Sequence, residues 1–373
     1  MVIKQPAAAA MLTQKQGNPN KKVILSADLG RTATKACVSR TPNSVVFIPA
    51  NVKKLTVEEV RSGNFESKPT DPLLDMWLEY QGVGYALGQL AADFGANLFG
   101  ENPGLPKPKT EDTLAKSKVE DALVKVLACV GYFQLTGEFS VVVGLPFYSQ
   151  EQFEKEKAQI ISQLQSRHLM SYRGAESIEI RINKVWVMPE GYGTLLWTEA
   201  NHGKEFQPQL PKLSLAIVDI GHQTSDFLMV DRFRFARAAS KSEPFGMNKF
   251  YESLADKIPG ADAQSLSLIE AVHKPEGQRS YRPRGATKPV DLDGIIPDKR
   301  KEFAKELCTR LIKWIPERVS DVILTGGGAD FFQEDLVKLL QEAGLKPHLA
   351  QPPREANALG QYIYGEAQLA TSK

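Results

Sequence analysis

Val23-Ile-Leu-Ser-Ala-Asp-Leu-Gly-Arg-Thr-Ala-Thr-Lys35 is the stretch on which the fold turns. The apolar run Val23, Ile24, Leu25 predicts a buried strand that carries Asp28 to its end. Gly30 turns the chain, and Ala36 to Ser39 predicts a second strand, so the whole reads as a hairpin with a small polar turn. Backbone N–H groups in such a turn converge on one spot and form an anion nest. Thr32 and Thr34 add hydroxyl donors, Lys35 adds a compact positive charge, and the Asp28 carboxylate suits a hydrated cation.

The arrangement recurs. Asp219-Ile-Gly-His-Gln-Thr-Ser-Asp226 follows the apolar run Leu215 to Val218 and precedes another, Phe227 to Val230. The two copies lie 191 residues apart, about the size of one large domain. Two like hairpins so spaced predict a duplicated fold whose halves face each other across one ligand.

The totals agree with a soluble globular protein. A chain of 373 residues has the length of two domains or one bilobal unit. Lys and Arg number 46 against 44 Asp and Glu, and this near balance argues against a protein built to coat nucleic acid. Cys37, Cys129 and Cys308 stand far apart in apolar surroundings without metal-binding spacing, and their odd number fits a reducing, cytoplasmic compartment. No apolar run approaches the ~20 residues of a membrane span. Residues 1–22 read as a disordered tail.

Along the chain, Ser44 to Ile48 predicts a third strand and Pro49 to Pro72 an irregular insertion. Met76 to Tyr80 and Gly84 to Leu87 predict a strand pair around Gln81-Gly82. Gly100 to Thr110, with three prolines, predicts an extended loop. Helical spacing predicts helices over Lys118 to Phe133 and Glu151 to Gln165, with strands at Phe139 to Leu145 and Ile178 to Met188. In the second half, a helix from Glu190 to about Ala200 leads to a loop, His202 to Pro211, and the second hairpin. Arg234 to Ala238 reads as a strand. Helices are expected over Gly246 to Ile258, Pro297 to Pro316, Asp330 to Ala343 and Arg354 to Gln368. Strands are expected at Val319 to Leu324 and Pro347 to Leu349. The order predicts an α/β chain with sheets flanked by helices.

Three further stretches complete a pattern: Met188-Pro-Glu-Gly191, Leu324-Thr-Gly-Gly-Gly-Ala-Asp-Phe331 and Arg354-Glu-Ala-Asn-Ala-Leu-Gly360. With the two hairpins, these five motifs span Val23 to Gly365. In that order they resemble the actin, sugar-kinase and heat-shock-chaperone ATPase superfamily, and within it the bacterial actin-like ParM group of plasmid-segregation proteins. The resemblance implies an actin-like (ribonuclease H-like) duplicated bilobal α/β fold with a nucleotide cleft between the lobes. Lobe I would be residues 23–189, with the C-terminal helix 354–368 packing back on it, and lobe II residues 190–353.

The resemblance also implies roles. Gly30, Arg31 and Thr32 would give backbone donors to phosphate and Lys35 a phosphate contact. Asp28 would hold magnesium through water, as suits a cation that dehydrates reluctantly, and Asp219 would share that ion from the other hairpin. Gly221, His222, Gln223 and Thr224 would cradle phosphate; the family usually has a second Gly where His222 stands, and His222 is not assigned a catalytic part. Glu190 would orient the attacking water. Gly326, Gly327, Gly328 and Ala329 would lie near the ribose and base, since a strand, three glycines and a helix start let backbone approach a nucleotide.

The implied function is a magnesium-dependent triphosphatase, for ATP or GTP, that forms filaments with copies of itself and moves plasmid DNA through a DNA-binding adaptor. It would touch neither nucleic acid nor membrane directly. The alternative is a metabolite kinase of the same fold, with Asp226 as its acceptor-activating carboxylate. The basic stretch from Lys274 to Lys288, with Arg279, Arg282, Arg284 and Tyr281, reads from its residues as a solvated loop or, alternatively, as a contact for a neighbouring subunit or an acidic adaptor surface. No G-x-x-x-x-G-K-[ST] or G-x-S-x-G motif is present, which sets aside a P-loop ATPase and an α/β-hydrolase.

Overall fold

The structure, a computed structural model, describes residues 23–62, 71–96, 118–201, 212–232 and 234–371. The expected tail 1–22 and the loops Gly100 to Thr110 and His202 to Pro211 lie outside the described residues. The chain divides into two compact units. The first takes in residues 23–201 and 355–371, the second residues 212–354.

The first unit is built on nine strands. These are β1 Val23–Leu29, β2 Ala33–Cys37, β3 Val46–Pro49, β4 Val52–Leu55, β5 Met76–Tyr80, β6 Val83–Leu87, β7 Gly137–Leu145, β8 Arg167–Tyr172 and β9 Ile178–Pro189. They form one sheet in the order β3-β2-β1-β7-β9-β8-β5-β6-β4. β1 lies inside the sheet, antiparallel to β2 and parallel to β7, so both its faces are covered and its apolar run is continuous rather than alternating. Helices α1 Val57–Ser62, α2 Gly88–Asp93, α3 Ala122–Tyr132, α4 Gln150–Leu164 and α5 Tyr192–Asn201 complete the unit's N-terminal stretch. Ser149 caps α4 by accepting from the Gln152 amide at 3.2 Å.

The second unit carries β10 Ser214–Ile220, β11 Ser225–Asp231, β12 Arg234–Phe235, β13 Lys241–Glu243, a small hairpin of β14 Ser280–Tyr281 and β15 Val290–Asp291, β16 Asp321–Thr325 and β17 Lys346–Leu349. Its main sheet runs β12-β11-β10-β16-β17, with β13 also on β11. Helices α6 Met247–Ala255, α7 Leu266–Val272, α8 Ile296–Trp314 and α9 Gly326–Glu342 accompany it. Phe227, Phe250, Phe303, Leu307 and Phe332 lie at the heart of its core.

The path β3-β2-β1-β7-β9 has the same hand-off as β12-β11-β10-β16-β17: two antiparallel neighbours on one side, two parallel ones on the other. The duplication expected from the two hairpins is therefore present in the sheets.

The last helix, α10 Ala356–Thr371, packs on α5, β1 and β7 within the first unit. α5 belongs there too, so the division of the chain falls after residue 203 rather than at the expected 189. The reason is local. Gly193 and Gly360 meet where α5 and α10 cross, so tightly that a Cβ on Gly360 would lie 1.6 Å from the Gly193 carbonyl oxygen.

Other expectations change. The stretch from Pro49 to Pro72 contains β4 and α1, so it is not wholly irregular. The strand expected from Arg234 to Ala238 shortens to two residues before a 3-10 turn at Arg237–Ala239. The helix expected from Asp330 begins four residues earlier, at Gly326, so the three glycines form its first turn.

Candidate functional site

In the first hairpin, Asp28 sits directly across the ladder from Lys35. The Lys35 ammonium donates to Asp28 Oδ2 at 3.1 Å, and Asn357 Nδ2 at the start of α10 donates to Oδ1 at 3.1 Å. Asp28 is only 4% exposed, so its charge is held by these two donors rather than by bulk water. A carboxylate has about four lone-pair sites, so two contacts leave room for hydrogen bonds from metal-bound water.

Asn357 continues the chain of contacts. Its Oδ1 accepts from the Gly191 amide at 3.1 Å, which ties the residue after Glu190 to the residue that holds Asp28. Glu190 itself is anchored by its amide, which donates to the Leu145 carbonyl at 2.8 Å. Gly144 lies between: a Cβ there would come within 3.2 Å of Glu190 Cγ and 3.6 Å of Asp28 Oδ1. The structure thus brings the expected Asp28, Lys35 and Glu190 into one region of the first unit. Sequence reading missed Gly144 and Asn357, which join them.

A group of buried charges surrounds Glu190. Lys118, in a helical turn ahead of α3, is 5% exposed and its ammonium is in contact with Glu190 Oε1. The Arg31 side chain is buried among Tyr148, Glu190 and Glu156, and burial lowers its pKa against the pull of those groups. Burial brings Lys125 down to about 8; Asp121, 3.8 Å away, pulls the other way, while Arg31 and Lys118 repel. Burial raises Glu156, which the Gln152 side chain, Lys118 and Arg31 partly offset.

The second hairpin matches the first in shape and differs in charge. Asp219 stands across the ladder from Asp226, where the first copy has Lys35. Asp226 is buried and accepts from Ser242 Oγ at 2.6 Å and from Thr224 Oγ1 at 3.4 Å. Asp219 is pressed from the neighbouring strand end: a Cβ on Gly326 would meet Asp219 Oδ1 at 2.4 Å, and Gly326 has φ +89°. Thr325 Oγ1 and the Gly326 amide both donate to the Pro353 carbonyl at 2.9 Å, fixing that strand end. Gly328 packs against Ile220, while Gly327 faces open space. Ala329 is fully buried in the second core.

The loop from Gly221 to Thr224 is held by the start of α6. Met247 and Asn248 donate their amides to the carbonyls of Gly221 and His222 at 3.0 and 2.8 Å. Gln223 Oε1 and Asn248 Oδ1 are buried there with no protein partner among the described residues. His222 stacks on Tyr251 with ring centroids 5.7 Å apart, and burial pushes its pKa down to about 4, so it is a neutral packed ring. Tyr251 OH in turn lies 2.9 Å from His273 Nε2.

In both copies the turn glycine's amide is engaged within its own hairpin. The Gly30 and Gly221 amides, expected to point at phosphate, donate within their own hairpins, to Asp28 O and Thr224 O, each at 2.9 Å. The glycines shape the turns: a Cβ on Gly30 would sit 2.4 Å from the Ala33 carbonyl oxygen, and one on Gly221 3.1 Å from that of Thr224. Thr32 meanwhile spends its carbonyl on the Ala50 amide at 2.9 Å.

Residues 26–193 match the family of actin-like proteins, N-terminal domain, and residues 217–338 match the C-terminal domain of archaeal actin homologues of the MreB-like kind. Each match covers one unit's hairpin and the strands beside it. Each of the two units thus contains an actin-like domain.

Solved structures agree on the fold of this actin-like chain. An archaeal actin homologue is 17% identical with a TM-score of 0.67, over 93% of this chain and 99% of that one. The actin-like protein Alp7A is 16% identical with a TM-score of 0.70, over 94% and 98%. ParM from a 15-stranded filament of Clostridium botulinum is 15% identical with a TM-score of 0.64, over 93% and 99%. The archaeal homologue has also been solved in complex with ADP. No curated protein matches the chain.

Among the described residues, no three or more His, Cys, Asp or Glu side chains cluster to hold a metal, and no helix is long and apolar enough to cross a membrane. The three cysteines are buried and unpaired with one another.

Proposed function

We propose that this actin-like protein is a magnesium-dependent nucleoside triphosphatase whose copies assemble into nucleotide-dependent filaments, in the service of plasmid DNA segregation through a DNA-binding adaptor. The observation that carries it is the paired design of the hairpins. Each brings one Asp to a strand end, each Asp carboxylate has a glycine as a neighbour, Gly144 for Asp28 and Gly326 for Asp219, and each hairpin sits in the same strand path.

The residues present fit the groups this function needs. Asp28 and Asp219 offer oxygen ligands, and the lack of an all-protein cage among the described residues suits magnesium, which keeps most of its waters and shares itself with phosphate. The unpartnered Gln223 and Asn248 oxygens at the second loop suit hydrogen bonding to a polar ligand. Magnesium, when bound, neutralises phosphate charge. Phosphoryl transfer then needs positioning more than covalent help. Lys35 adds a charge beside Asp28, and Glu190 aligns the attacking water. Gly327, which faces open space at the start of α9, lets a ribose or base approach backbone.

A metabolite kinase is less well supported. Its acceptor-activating carboxylate would be Asp226, and both Asp226 oxygens are already engaged inside the second sheet.

The test is light scattering and negative-stain imaging of the purified chain with ATP or GTP and magnesium, together with phosphate release without any acceptor. Filaments and acceptor-free phosphate are expected. A chain that stays monomeric at high concentration with both nucleotides rules the assembly out, and turnover that needs an added hydroxyl acceptor rules in the kinase.

A further inference from the structure

Lys118 lies 72 residues from Glu190 in sequence, yet the two charges are in contact and both are almost sealed from water, at 5% and 8% exposure. A buried pair of this kind is costly to form from two hydrated ions, so it is weak evidence for stability as such. Its surroundings give it a use. Glu190 contacts Lys118 and is attracted by Arg31, while the Glu156 carboxylate repels it and the Tyr148 hydroxyl interacts with Arg31. Lys125 adds positive charge beyond them. The Glu190 main chain is pinned at Leu145, and the lysine contact fixes where the end of its side chain points. Glu156 is the nearby carboxylate that would otherwise compete for Arg31 and Lys118.

From this geometry we infer that Lys118 is a positioning residue for Glu190, holding that carboxylate in one orientation so that it can order water for attack on the terminal phosphate. The inference rests on the triphosphatase reading of Glu190. Lys118 acts through Glu190. Without the ammonium the side chain can turn to Arg31, and a displacement of about 1 Å can cost about 100-fold in rate.

The experiment is a pair of double-variant cycles on the full chain with Lys118→Met, Glu190→Gln and the combination. In the nucleotide-free protein, each single change should lower the melting temperature and the combination should recover part of the loss, because only the single changes leave a buried charge unpaired. With ATP and magnesium, Lys118→Met should lower kcat by about 10- to 100-fold while the affinity for a fluorescent ATP analogue stays within about twofold. In the combination, kcat should be no lower than in Glu190→Gln alone, and Lys118→Arg should keep most of it. Lys118→Gln replaces the methionine variant if that one does not fold.

If the melting temperatures couple but Lys118→Met leaves kcat unchanged or raises it, the pair is structural or a brake, and the inference is overturned. It is also overturned if kcat and nucleotide affinity fall together, or if the two kcat losses multiply. Full turnover in Glu190→Gln is a different failure, since it removes the underlying part assigned to Glu190.

Discussion

At Gly326 one methyl group decides whether the second hairpin can close. The added carbon would meet the Asp219 carboxylate at 2.4 Å and would have to adopt φ +89°. Gly326→Ala should therefore cost about 2–3 kcal/mol, from backbone strain together with overpacking. Gly327→Ala, with nothing within 4 Å, should be near neutral. Urea melts of the two variants check the contrast. Sequence alone shows three equal glycines, and the close approaches of Asp219 to Gly326 and of Ile220 to Gly328 tell them apart.

His222 makes a second residue-level case. Its folded pKa of about 4 lies below the ordinary 6.5, because burial disfavours the charged ring. The unfolded chain therefore takes up a proton between pH 6.5 and about 4 that the folded chain refuses. The stability this ring contributes is complete above 6.5 and is lost as the pH falls toward 4. The slope is at most about 1.4 kcal/mol per pH unit, and partial exposure of the ring keeps it below that. Stability measured from about pH 7.5 down to about 4.5 should fall less steeply in His222→Phe than in the parent.

Among the elements, the crossing of α5 and α10 is the tightest. Gly360→Ala would drive a carbon into the Gly193 carbonyl at 1.6 Å, and there is no side chain to move aside. A loss of about 3 kcal/mol or more is expected, the upper end for overpacking, with the Asn357 contacts to Asp28 and Gly191 loosened as well. Asn357→Asp should separate the two effects. It leaves the crossing intact, sets a second carboxylate against Asp28 and should weaken magnesium-dependent turnover more than stability.

The elements also show where sequence was a good guide. β1, β10 and their return strands were legible because an apolar run, an Asp and a Gly fall in fixed order. β8 was not, because it inverts the usual alternation: His168 is buried through hydrogen bonds to Tyr80, Ser166 and Leu164, while Leu169 is 63% exposed. β4 and α1 were hidden for another reason. They bury little beyond Val60, so their stretch looks polar throughout. Lys118 and Asn357 could not be seen at all, since each finds its partner only through the fold.

At the scale of the whole molecule, the duplicated strand path was readable because a repeated charged turn is rare enough to notice across 191 residues. Assembly is where the second unit offers a further test. The basic stretch from Lys274 to Lys288 is not a loose loop. Tyr281 and Leu292 are buried, β14 pairs with β15, and Asp293 accepts from both the Gly277 amide and Arg279. Arg279, expected among the outward contacts, is thus spent inside the hairpin. Arg282, Arg284 and Lys288 are exposed and make no ion pair or hydrogen bond among the described residues. They lie on the connection 282–289 above the paired base of this hairpin, placed to meet an acidic face of another copy. Changing all three to Gln should leave nucleotide affinity and stability unaltered. If each makes one exposed pair of roughly 0.5 kcal/mol in the filament, the critical concentration rises about tenfold. That rise should shrink as salt is added, because exposed pairs are screened within about 10 Å at 0.1 M. Sedimentation of the parent and the triple variant with ATP and magnesium, at low and high salt, measures both quantities. An unchanged critical concentration at low salt excludes this hairpin from the contact between copies.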